Sequence, residues 1–364
     1  MLPKILFILH LPPPVHGSSM VGQYIHDSQR INNTFRTRFV NLGTSKSVDE
    51  IGEKSFKKYV TYFKILKEIF KILKNDRPDK VYLAITAKGI ALYKDCFVVS
   101  LVKFFKVPLI IHFHNKGVNK YQDKIIDNQL YKFVFKDSKI ILLSHCLYTD
   151  IARYVDKKDV YYCPNGIPYF STEEVKSQKN SKMINLLFLS NLIASKGVYE
   201  LIEACNLLKE RNHKFTCTII GGEGDVSREQ LQDKIKEFNL QEEVSYLGKR
   251  YGAEKEDAFS KADVFVFPTF YHNECFPLVL LEAMQFGLPV VSTNEGGIPD
   301  IIEEGTTGYI VTKNDVEMLT DRIELFIKRP ELVLEMGAKA KKIFYEKYTL
   351  ETFENRLTKI LEIA

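Results

Sequence analysis

Short apolar runs alternate with longer amphipathic segments along most of the chain. Six strands are predicted in the first half: Ile5–Leu9, Thr37–Asn41, Lys80–Ala84, Leu109–Phe113, Lys139–Leu143 and Val160–Cys163. Six more are predicted in the second half: Asn185–Leu189, Phe215–Ile220, Val244–Leu247, Val264–Phe267, Pro289–Ser292 and Gly308–Val311. Strand–helix alternation indicates parallel sheets covered on both faces. Two such sets predict an α/β protein with two doubly wound, Rossmann-like domains facing an inter-domain cleft.

Domain boundaries follow from breaks in this pattern. The stretch 169–182 is polar and has no periodicity, as is typical of a linker. We therefore predict one domain over 1–170 and a second over 183–345. The remaining segment, 346–364, contains a final predicted helix over Leu350–Ile363.

The net charge of +5 hides an asymmetry between the halves. Residues 1–180 contain 29 Lys and Arg against 16 Asp and Glu, whereas the remainder contains 22 against 30. A basic half suits an anionic partner such as a membrane leaflet, a polyphosphate-linked lipid or a nucleic acid, although a generally lysine-rich proteome would give the same excess. Nucleic acid is the weakest of these, because no helix-turn-helix or aromatic-rich RNA motif is present.

The basic excess is densest over residues 54–80, where nine basic residues stand among aromatic and aliphatic residues at helical spacing. A basic amphipathic helix can lie on an anionic membrane. A solvated helix that packs its apolar face on the sheet fits the pattern equally well. The peripheral membrane contact through 54–80 is therefore a hypothesis at this point.

The cysteine pattern and the amino-terminal segment favour a cytoplasmic protein. Six cysteines show no C-x-x-C pair and no metal-ligand spacing, as expected of free thiols in a reducing compartment. The apolar run Ile5–Leu11 is too short for a signal-peptide core with a cleavage site. No run of 18 apolar residues occurs in the sequence. We expect a cytoplasmic location, with the inner face of the membrane as the alternative.

The strongest chemical signal is the segment Asn273–Gly287, which reads NECFPLVLLEAMQFG. Pro277 favours a helix start and Gly287 a helix stop, so Glu274 would precede the helix and Glu282 would lie about a turn and a half inside it. Free N–H groups at such a helix start form an anion site. Two carboxylates beside it can accept hydrogen bonds from sugar hydroxyls. A capped helix with solvated glutamates is the alternative.

Three further segments follow predicted strands of the second half. Asn294–Asp300 contains paired glycines, Ser190–Gly197 (SNLIASKG) places Lys196 before a glycine, and Gly221–Gly224 reads GGEG. Glycines between a strand and a helix let the backbone approach a ligand, and an ammonium there can face a diphosphate. GGEG lacks the G-x-G-x-x-G spacing of dinucleotide enzymes. The two glycine segments are also consistent with ordinary turns between a strand and a helix, and a lone lysine before a helix is usually solvated.

Two segments of the first half carry histidines at predicted strand ends. Pro12–Ser19 (PPPVHGSS) contains His16 and Gly17, and His114 ends the strand that begins at Leu109. A histidine at a strand end is a plausible polar contact for a ligand, and a structural histidine is equally consistent. We expect no metal, because His114 and its neighbour His112 have no obvious carboxylate or cysteine companion.

Taken together and in this order, these segments resemble the large retaining glycosyltransferase family four across nearly the whole chain. The most specific part is the E-x7-E pattern from Glu274 to Glu282, within NECFPLVLLEAMQFGLPVVST. The pairs at 296–297 and 196–197 add to it, as does the C-P-N-G-I segment that begins at Cys163. The resemblance implies two domains of the GT-B type, with the final helix over 346–364 crossing back to the first domain.

The resemblance also implies roles for donor-site residues. Glu274 would hold sugar hydroxyls, Glu282 would hold ribose hydroxyls, and Lys196 would neutralise the diphosphate. Backbone N–H groups of Phe276 and Leu278 would bind phosphate or sugar oxygens.

Further contacts are implied outside this segment. Gly17 would contact the donor from the first domain, and His114 would contact the sugar near its reacting carbon. The loop over residues 248–251, with Gly248 and Arg250, looks like the base-binding turn.

Three departures from the family pattern affect individual contacts. Asn191 stands where the family usually has an arginine, so one charge partner of the diphosphate is missing. His16 replaces the first glycine of the first-domain loop. Pro277 replaces a glycine of the helix start and removes one N–H donor.

The resemblance implies a reaction and its substrates. The sugar would pass from a nucleotide-diphosphate sugar, UDP being the favoured base, to a glycan or lipid-linked acceptor with retention at the anomeric carbon, in surface polysaccharide synthesis. No cofactor or metal is expected, since the chain has no D-x-D triplet to anchor one. An epimerase of the same fold and a non-catalytic nucleotide-sugar-binding protein remain as alternatives.

Overall fold

The computed structural model describes residues 2–43, 56–169 and 183–364. The predicted linker lies outside the described residues except for Tyr169, as do the first two residues of the basic stretch 54–80. The chain forms two compact units. One comprises the residues up to Gly166 together with Leu350–Ala364, and the other comprises Ile167–Thr349.

The first unit is a parallel sheet with helices between its strands. Its strands are β1 (Lys4–Leu9), β2 (Arg36–Asn41), β3 (Lys80–Ile85), β4 (Leu109–Phe113), β5 (Ser138–Leu142) and β6 (Val160–Tyr162). Its helices are α1 (Gly17–Asp27), α2 (Gln29–Thr34), α3 (Phe56–Asn75), α4 (Gly89–Phe104), α5 (Val118–Tyr121), α6 (Ile125–Phe135), α7 (Tyr148–Ile151) and the final helix, which is α15 (Leu350–Ile363).

The second unit repeats this architecture. Its strands are β7 (Ile184–Leu189), β8 (Phe215–Ile220), β9 (Val244–Tyr246), β10 (Val264–Phe267), β11 (Val290–Thr293) and β12 (Gly308–Val311). Its helices are α8 (Val198–Glu210), α9 (Arg228–Glu237), α10 (Ala253–Lys261), α11 (Leu278–Gln285), α12 (Ile298–Ile301), α13 (Val316–Lys328) and α14 (Glu331–Lys347).

All twelve predicted strands are present, each with bounds within one residue of the prediction, and the two Rossmann-like domains are confirmed. The strand predicted from Pro289 begins one residue later, because proline cannot donate a ladder hydrogen bond. Apolar runs as continuous as β1, whose residues Ile5–Leu9 are all at most 1% exposed, form strands buried on both faces.

Each sheet reverses its strand order once. The first sheet runs β2-β1-β3-β4-β5-β6 and the second runs β12-β11-β10-β7-β8-β9, with all strands parallel. The order turns back between β1 and β3 in the first sheet and between β7 and β10 in the second. Ligands of open parallel sheets bind beyond the carboxyl ends of the strands at such switch points. The segments after β7 and β10 are therefore where a site is expected in the second unit.

No helix in the described ranges has both the length and the apolar character needed to cross a membrane.

Candidate active site

Lys196 and Glu274 meet at the switch point of the second unit. Lys196 ends a 3-10 turn that follows β7, and Glu274 lies in the loop that follows β10. The Lys196 Nζ donates a hydrogen bond to the Glu274 Oε2, and the two side chains are only 15% and 10% exposed. The structure thus brings together two residues predicted separately, 78 positions apart in the chain.

Aromatic rings hold the Lys196 ammonium in place. Its Nζ lies 4.5 Å from the ring centroid of Tyr271 and 5.5 Å from that of Phe267. A cation above a ring face is attracted by the ring quadrupole. The two segments are also tied through the backbone, because the Phe270 N–H donates to the Ser195 oxygen at 2.8 Å. The ammonium is therefore held by a carboxylate and two rings rather than solvated.

Helix α11 begins beside this pair. Pro277 is its N-cap with extended backbone, φ −69° and ψ 118°, so the helix begins one residue later than predicted, at Leu278. Because the Pro277 ψ is extended, the first helical N–H groups are those of Leu278 and Val279, and groups in these positions have no acceptor within the helix. The next N–H, of Leu280, donates to the Pro277 oxygen at 3.2 Å. Phe276, just before the cap, is buried. Gly287, at φ +66°, follows the C-cap, as predicted.

Glu282 lies in the fifth position of α11 and accepts a hydrogen bond from Lys255. The Lys255 Nζ, on α10, is 2.8 Å from the Glu282 Oε1, and the two side chains are 29% and 24% exposed. The carboxylate is therefore oriented by a neighbouring helix while remaining accessible to solvent. Its second oxygen can accept further hydrogen bonds.

The glycine pair after β11 packs directly against the Glu274 loop. Gly296 has φ +58°, and a Cβ on it would lie 2.2 Å from the Glu274 carbonyl oxygen. The Gly297 N–H donates to the Cys275 oxygen at 2.7 Å. The pair therefore positions the carboxylate loop. The adjacent Glu295 is buried and bonds the Lys313 Nζ at 2.7 Å.

The remaining predicted donor contacts of this unit lie near the ends of β7, β8 and β9. Gly248, at φ +72°, accepts a hydrogen bond from the Gly221 N–H at 3.0 Å. Asn191 is exposed at the end of β7. Arg250 is half-buried, and its Nε lies 3.6 Å from the Glu254 Oε1.

In the first unit, Gly17 and His16 open helix α1. His16 is the N-cap, and its Nδ1 accepts a hydrogen bond from the Ser19 N–H at 3.2 Å, while the Ser19 hydroxyl accepts from the His16 N–H at 3.0 Å. A Cβ on Gly17 would meet no atom within 4 Å among the described residues. The space above Gly17 is therefore open, so protein packing gives no reason for glycine there.

Histidines gather at the carboxyl edge of the first sheet. His10 follows β1 and its ring lies 6.3 Å from that of His16, and the rings of His112 and His114 are 4.2 Å apart because alternate strand residues share a face. The Tyr82 hydroxyl lies 2.6 Å from the His112 Nδ1. The buried His114 Nδ1 has no hydrogen-bond partner within the described part of the chain.

Burial keeps these histidines neutral. Burial, and then the neighbouring His16, lowers the pKa of His10 to about 4. Burial, reinforced by His10 and His16, lowers the pKa of His114 to about 3. A neutral imidazole has one donor and one acceptor nitrogen. His114 is thus suited to hydrogen bonding and not to carrying charge at neutral pH.

Three residues that contact predicted site residues or their neighbours were not predicted from the sequence: Lys255, Tyr271 and Lys313. Lys255 and Glu282 are 27 residues apart, so no helical or strand spacing connects them. Tyr271 carried a weak signal, since it lies between a strand end and the E-x7-E pattern. The described residues contain no group of three or more His, Cys, Asp or Glu side chains arranged to hold a metal ion.

Comparisons with known proteins indicate the family that this chain resembles. Residues 170–343 match the family model described as "Glycosyl transferases group 1". The chain is 33% identical over 161 residues to the putative colanic acid biosynthesis glycosyltransferase WcaL of Escherichia coli, which covers 43% of this chain and 39% of that protein. It is 29% identical over 257 residues, 68% of this chain and 65% of the relative, to N-acetyl-alpha-D-glucosaminyl L-malate synthase of Bacillus anthracis. This chain thus aligns with less than half the length of WcaL.

A solved structure shares the fold over the whole length. The crystal structure of Anabaena HepE in complex with UDP and glucose has a TM-score of 0.75 and 17% sequence identity, with 100% of both chains covered. Residues 170–343, which lie in the second unit, are thus similar to the group 1 glycosyltransferases, and the chain shares the two-domain GT-B fold with that solved structure.

Proposed function

We propose that this chain is a retaining, metal-independent glycosyltransferase that moves a sugar from a UDP-sugar to a glycan or lipid-linked acceptor in surface polysaccharide synthesis. The observation that carries the proposal is the Lys196–Glu274 pair beside the start of α11, at the switch point of the second sheet. A cation and a helix N-terminus can bind the phosphates of a nucleotide sugar, and a carboxylate can accept hydrogen bonds from the sugar hydroxyls. The names of the WcaL relative and of the HepE complex add support for a polysaccharide product and a UDP donor.

In the proposed reaction, the bond between the anomeric carbon and the diphosphate oxygen breaks. The electron pair leaves with the UDP, and the new bond forms to an acceptor hydroxyl whose proton passes to the departing phosphate. Lys196 and the N–H groups of Phe276 and Leu278 would stabilise the growing negative charge, an effect often worth about 10²–10³ in rate for each such group. No protein base is then required.

The remaining residues would bind and orient the donor. Glu274 would hold sugar hydroxyls, and Glu282, oriented by Lys255, would hold the ribose hydroxyls. Neutral His114 would act as a hydrogen-bonding group near the reacting carbon.

Backbone and side-chain positions at strand ends complete this proposal. Gly17 would let the donor approach the backbone of α1, for which the open space above it leaves room. Gly248 and Arg250 would contact the base, and Asn191 would supply a polar contact in place of an arginine.

We further propose a cytoplasmic location on the inner face of the membrane, with contact through the basic stretch 54–80. The first unit carries the basic excess of the chain, and a lipid-linked acceptor would be reached from that surface.

The test is a thermal-shift screen of the purified chain against UDP, GDP, ADP and their sugar conjugates, followed by turnover with the best donor. A ligand that binds only the folded state raises the melting temperature. We expect UDP and a UDP-sugar to give the largest shifts, and UDP release to depend on an added acceptor. An altered sugar nucleotide without acceptor would indicate the epimerase, and binding with an intact donor would indicate the non-catalytic alternative.

A further inference from the structure

Exposed apolar side chains are concentrated on three helices of the first unit. Of the 21 large hydrophobic side chains exposed in the described residues, 12 lie on α3, α4 and α6, helices of 20, 16 and 11 residues. Scattered exposed apolar residues are ordinary, but a concentration on neighbouring elements marks an interaction surface.

The three helices form one continuous layer. Helix α4 packs beside α3 on one side and beside α6 on the other. The Tyr62 hydroxyl of α3 donates to the Lys94 oxygen of α4, and the Lys103 Nζ of α4 lies 5.0 Å from the Phe133 ring centroid of α6. We call the solvent side of this layer the α3–α4–α6 face.

On helix α3 the exposed apolar residues form a stripe of their own, separate from the stripe that is buried in the core. Its sheet-facing stripe includes Ile65 and Ile69, which are 8% and 0% exposed. Phe56, Phe63 and Phe70 repeat every seven residues and are 83%, 67% and 40% exposed. At about 3.6 residues per turn, this second stripe lies on a different side of the helix from the first. The helix therefore carries a second apolar stripe that is largely exposed, and within it Phe70 also contacts the Phe105 ring, with 5.4 Å between the centroids.

The charge of the face is strongly one-sided. The three helices contain nine lysines and three acidic residues in their sequences. Two of those acids, Asp95 and Asp127, are buried, which leaves Glu68 as the exposed carboxylate. Lysine and aromatic residues side by side, with little negative charge, match the headgroups and the acyl boundary of an anionic lipid leaflet.

The apolar residues are concentrated at one end of the face. Eight of the 12 lie in the N-terminal halves of their helices, among them Phe63, Ile90, Ile125 and Ile126. Each of these helices follows the carboxyl end of a strand, so its N-terminus lies at the carboxyl edge of the first sheet, which also carries His114. The end of the face that would insert into lipid is thus the end where the unit is expected to bind a ligand.

We propose that the α3–α4–α6 face is a docking surface for an anionic membrane leaflet, seated so that the carboxyl edge of the first sheet meets the lipid surface. This deepens the proposed function, because it extends the contact from the stretch 54–80 to three helices. It also assigns the acceptor to the lipid-linked class, since such an acceptor would arrive from the bilayer at that edge.

The test is co-sedimentation of the full chain with phosphatidylglycerol vesicles and with phosphatidylcholine vesicles, at low and high salt. We expect binding to the anionic vesicles alone, weakened by salt. The triple variant Lys64→Gln, Lys67→Gln, Lys71→Gln should weaken binding on the order of 100-fold, at roughly fivefold for each lysine near an anionic surface. The matched control changes Lys339, Lys342 and Lys359, exposed lysines on other helices, to Gln and should bind like the wild type.

A second pair of variants tests the apolar part. Phe63→Ser, Phe97→Ser and Ile125→Ser together should lose vesicle binding, whereas Leu334→Ser with Ile363→Ser, exposed at 52% and 71%, should not. All variants should keep the wild-type melting temperature, because exposed side chains contribute little to the core.

Specific outcomes would overturn the inference. Equal loss in test and control variants would show non-specific adsorption, and a dimer in solution that the serine triple variant converts to monomer would assign the face to a second copy of the chain. Absence of vesicle binding together with a clear UDP thermal shift would reject the face and the membrane contact through 54–80, and would keep the proposed sugar transfer. Vesicle binding without any thermal shift by a nucleotide would keep the membrane-docking face and reject the proposed sugar transfer.

Discussion

The Lys196–Glu274 pair gives the second unit a site whose two charges compensate each other. A buried cation without a partner is unfavourable, and here a carboxylate and two aromatic rings offset that cost. A diphosphate that enters would offer the ammonium a second anion. The Glu274 carboxylate would then accept hydrogen bonds from sugar hydroxyls. Each member of the pair thus has a partner both before and after the donor binds.

This arrangement predicts different effects for the two members of the pair. Lys196→Gln should weaken UDP binding about 10- to 100-fold, because a charge-assisted hydrogen bond contributes roughly 1.5–3 kcal/mol. Glu274→Gln keeps the shape, removes a negative charge beside the diphosphate, and should leave UDP affinity unchanged or higher while turnover falls about 100-fold. Calorimetry with UDP and a donor-turnover assay separate the two effects.

A surface lysine serves as the control for this experiment. Lys328→Gln, 59% exposed, should match the wild type in both measurements. Wild-type affinity in Lys196→Gln together with wild-type turnover in Glu274→Gln would remove both residues from the site.

The neutral histidines of the first unit predict a loss of stability in mild acid. The pKa values of His10 and His114 are lowered to about 4 and about 3 in the folded protein, from an ordinary 6.5. The unfolded chain therefore binds more protons below pH 6.5, so the stability that these groups contribute is complete above that pH and is lost as the pH falls towards 4. At pH 5.5 each should destabilise the fold by about 1 kcal/mol.

Melting temperatures between pH 7.5 and pH 5 would measure this slope. His10→Gln removes one titrating group and should flatten it, whereas Lys359→Gln, an exposed residue outside this cluster, should leave it unchanged. An identical slope in wild type and His10→Gln would contradict the assignment of the acid sensitivity to this cluster.

At the scale of elements, the amino-acid pattern was sufficient to predict the strands but not the side-chain contacts between different elements. Every predicted strand formed, because a run such as Ile5–Leu9 can be buried only in the middle of a covered sheet. The Lys255–Glu282 contact could not be predicted, since it joins two helices that only the strand order brings together. The second apolar stripe of α3 was visible as composition but became a separate surface only once burial was known.

The glycine after β11 offers a sharp test of element packing. Gly296→Ala would place a Cβ 2.2 Å from the Glu274 oxygen in a residue with φ +58°, so the loop that carries the carboxylate must move. Gly305→Ala is a matched control, because it has φ +69° and would meet no atom within 4 Å among the described residues. Both should lose about 1–2 kcal/mol from backbone strain.

Only Gly296→Ala should lose more free energy of unfolding than backbone strain alone accounts for, and only this variant should also lose turnover of the sugar donor. Chemical denaturation and the donor-turnover assay would measure both quantities. Equal stability and equal turnover in the two alanine variants would show that the close approach of the two loops does not position Glu274.

At the scale of the whole molecule, the two units share one architecture but differ in the sign of their net charge, which is positive in the first and negative in the second. The second unit carries the acidic excess of the chain together with the family match, and the first carries the basic α3–α4–α6 face. In the proposed function, two units with the same fold and different surfaces would separate the nucleotide site from the membrane contact. The nucleotide would be bound by the second unit, which carries the family match, and the membrane contact is proposed for the first unit, which lies outside that match.

The final helix provides the last test, because the chain returns to the first unit to complete its core. In α15, Phe353, Leu357, Ile360 and Leu361 are at most 6% exposed, the helix packs against α2, and the Lys80 Nζ donates to the Leu361 oxygen at 2.8 Å. Burial of each such side chain stabilises by about 1.5–3 kcal/mol, so their joint loss approaches the 5–15 kcal/mol that holds a typical domain folded.

A chain that ends at Thr349 should therefore retain a folded second unit that still gives a UDP-dependent thermal shift, while limited proteolysis cleaves the first unit rapidly. A chain that ends at Glu362 removes only the exposed Ile363 and the terminal Ala364 and should behave as the wild type. Resistance of the first unit to protease in the shorter chain would mean that α15 covers the unit without supporting it. Loss of the UDP shift in that chain would show instead that the second unit depends on the first for its nucleotide site.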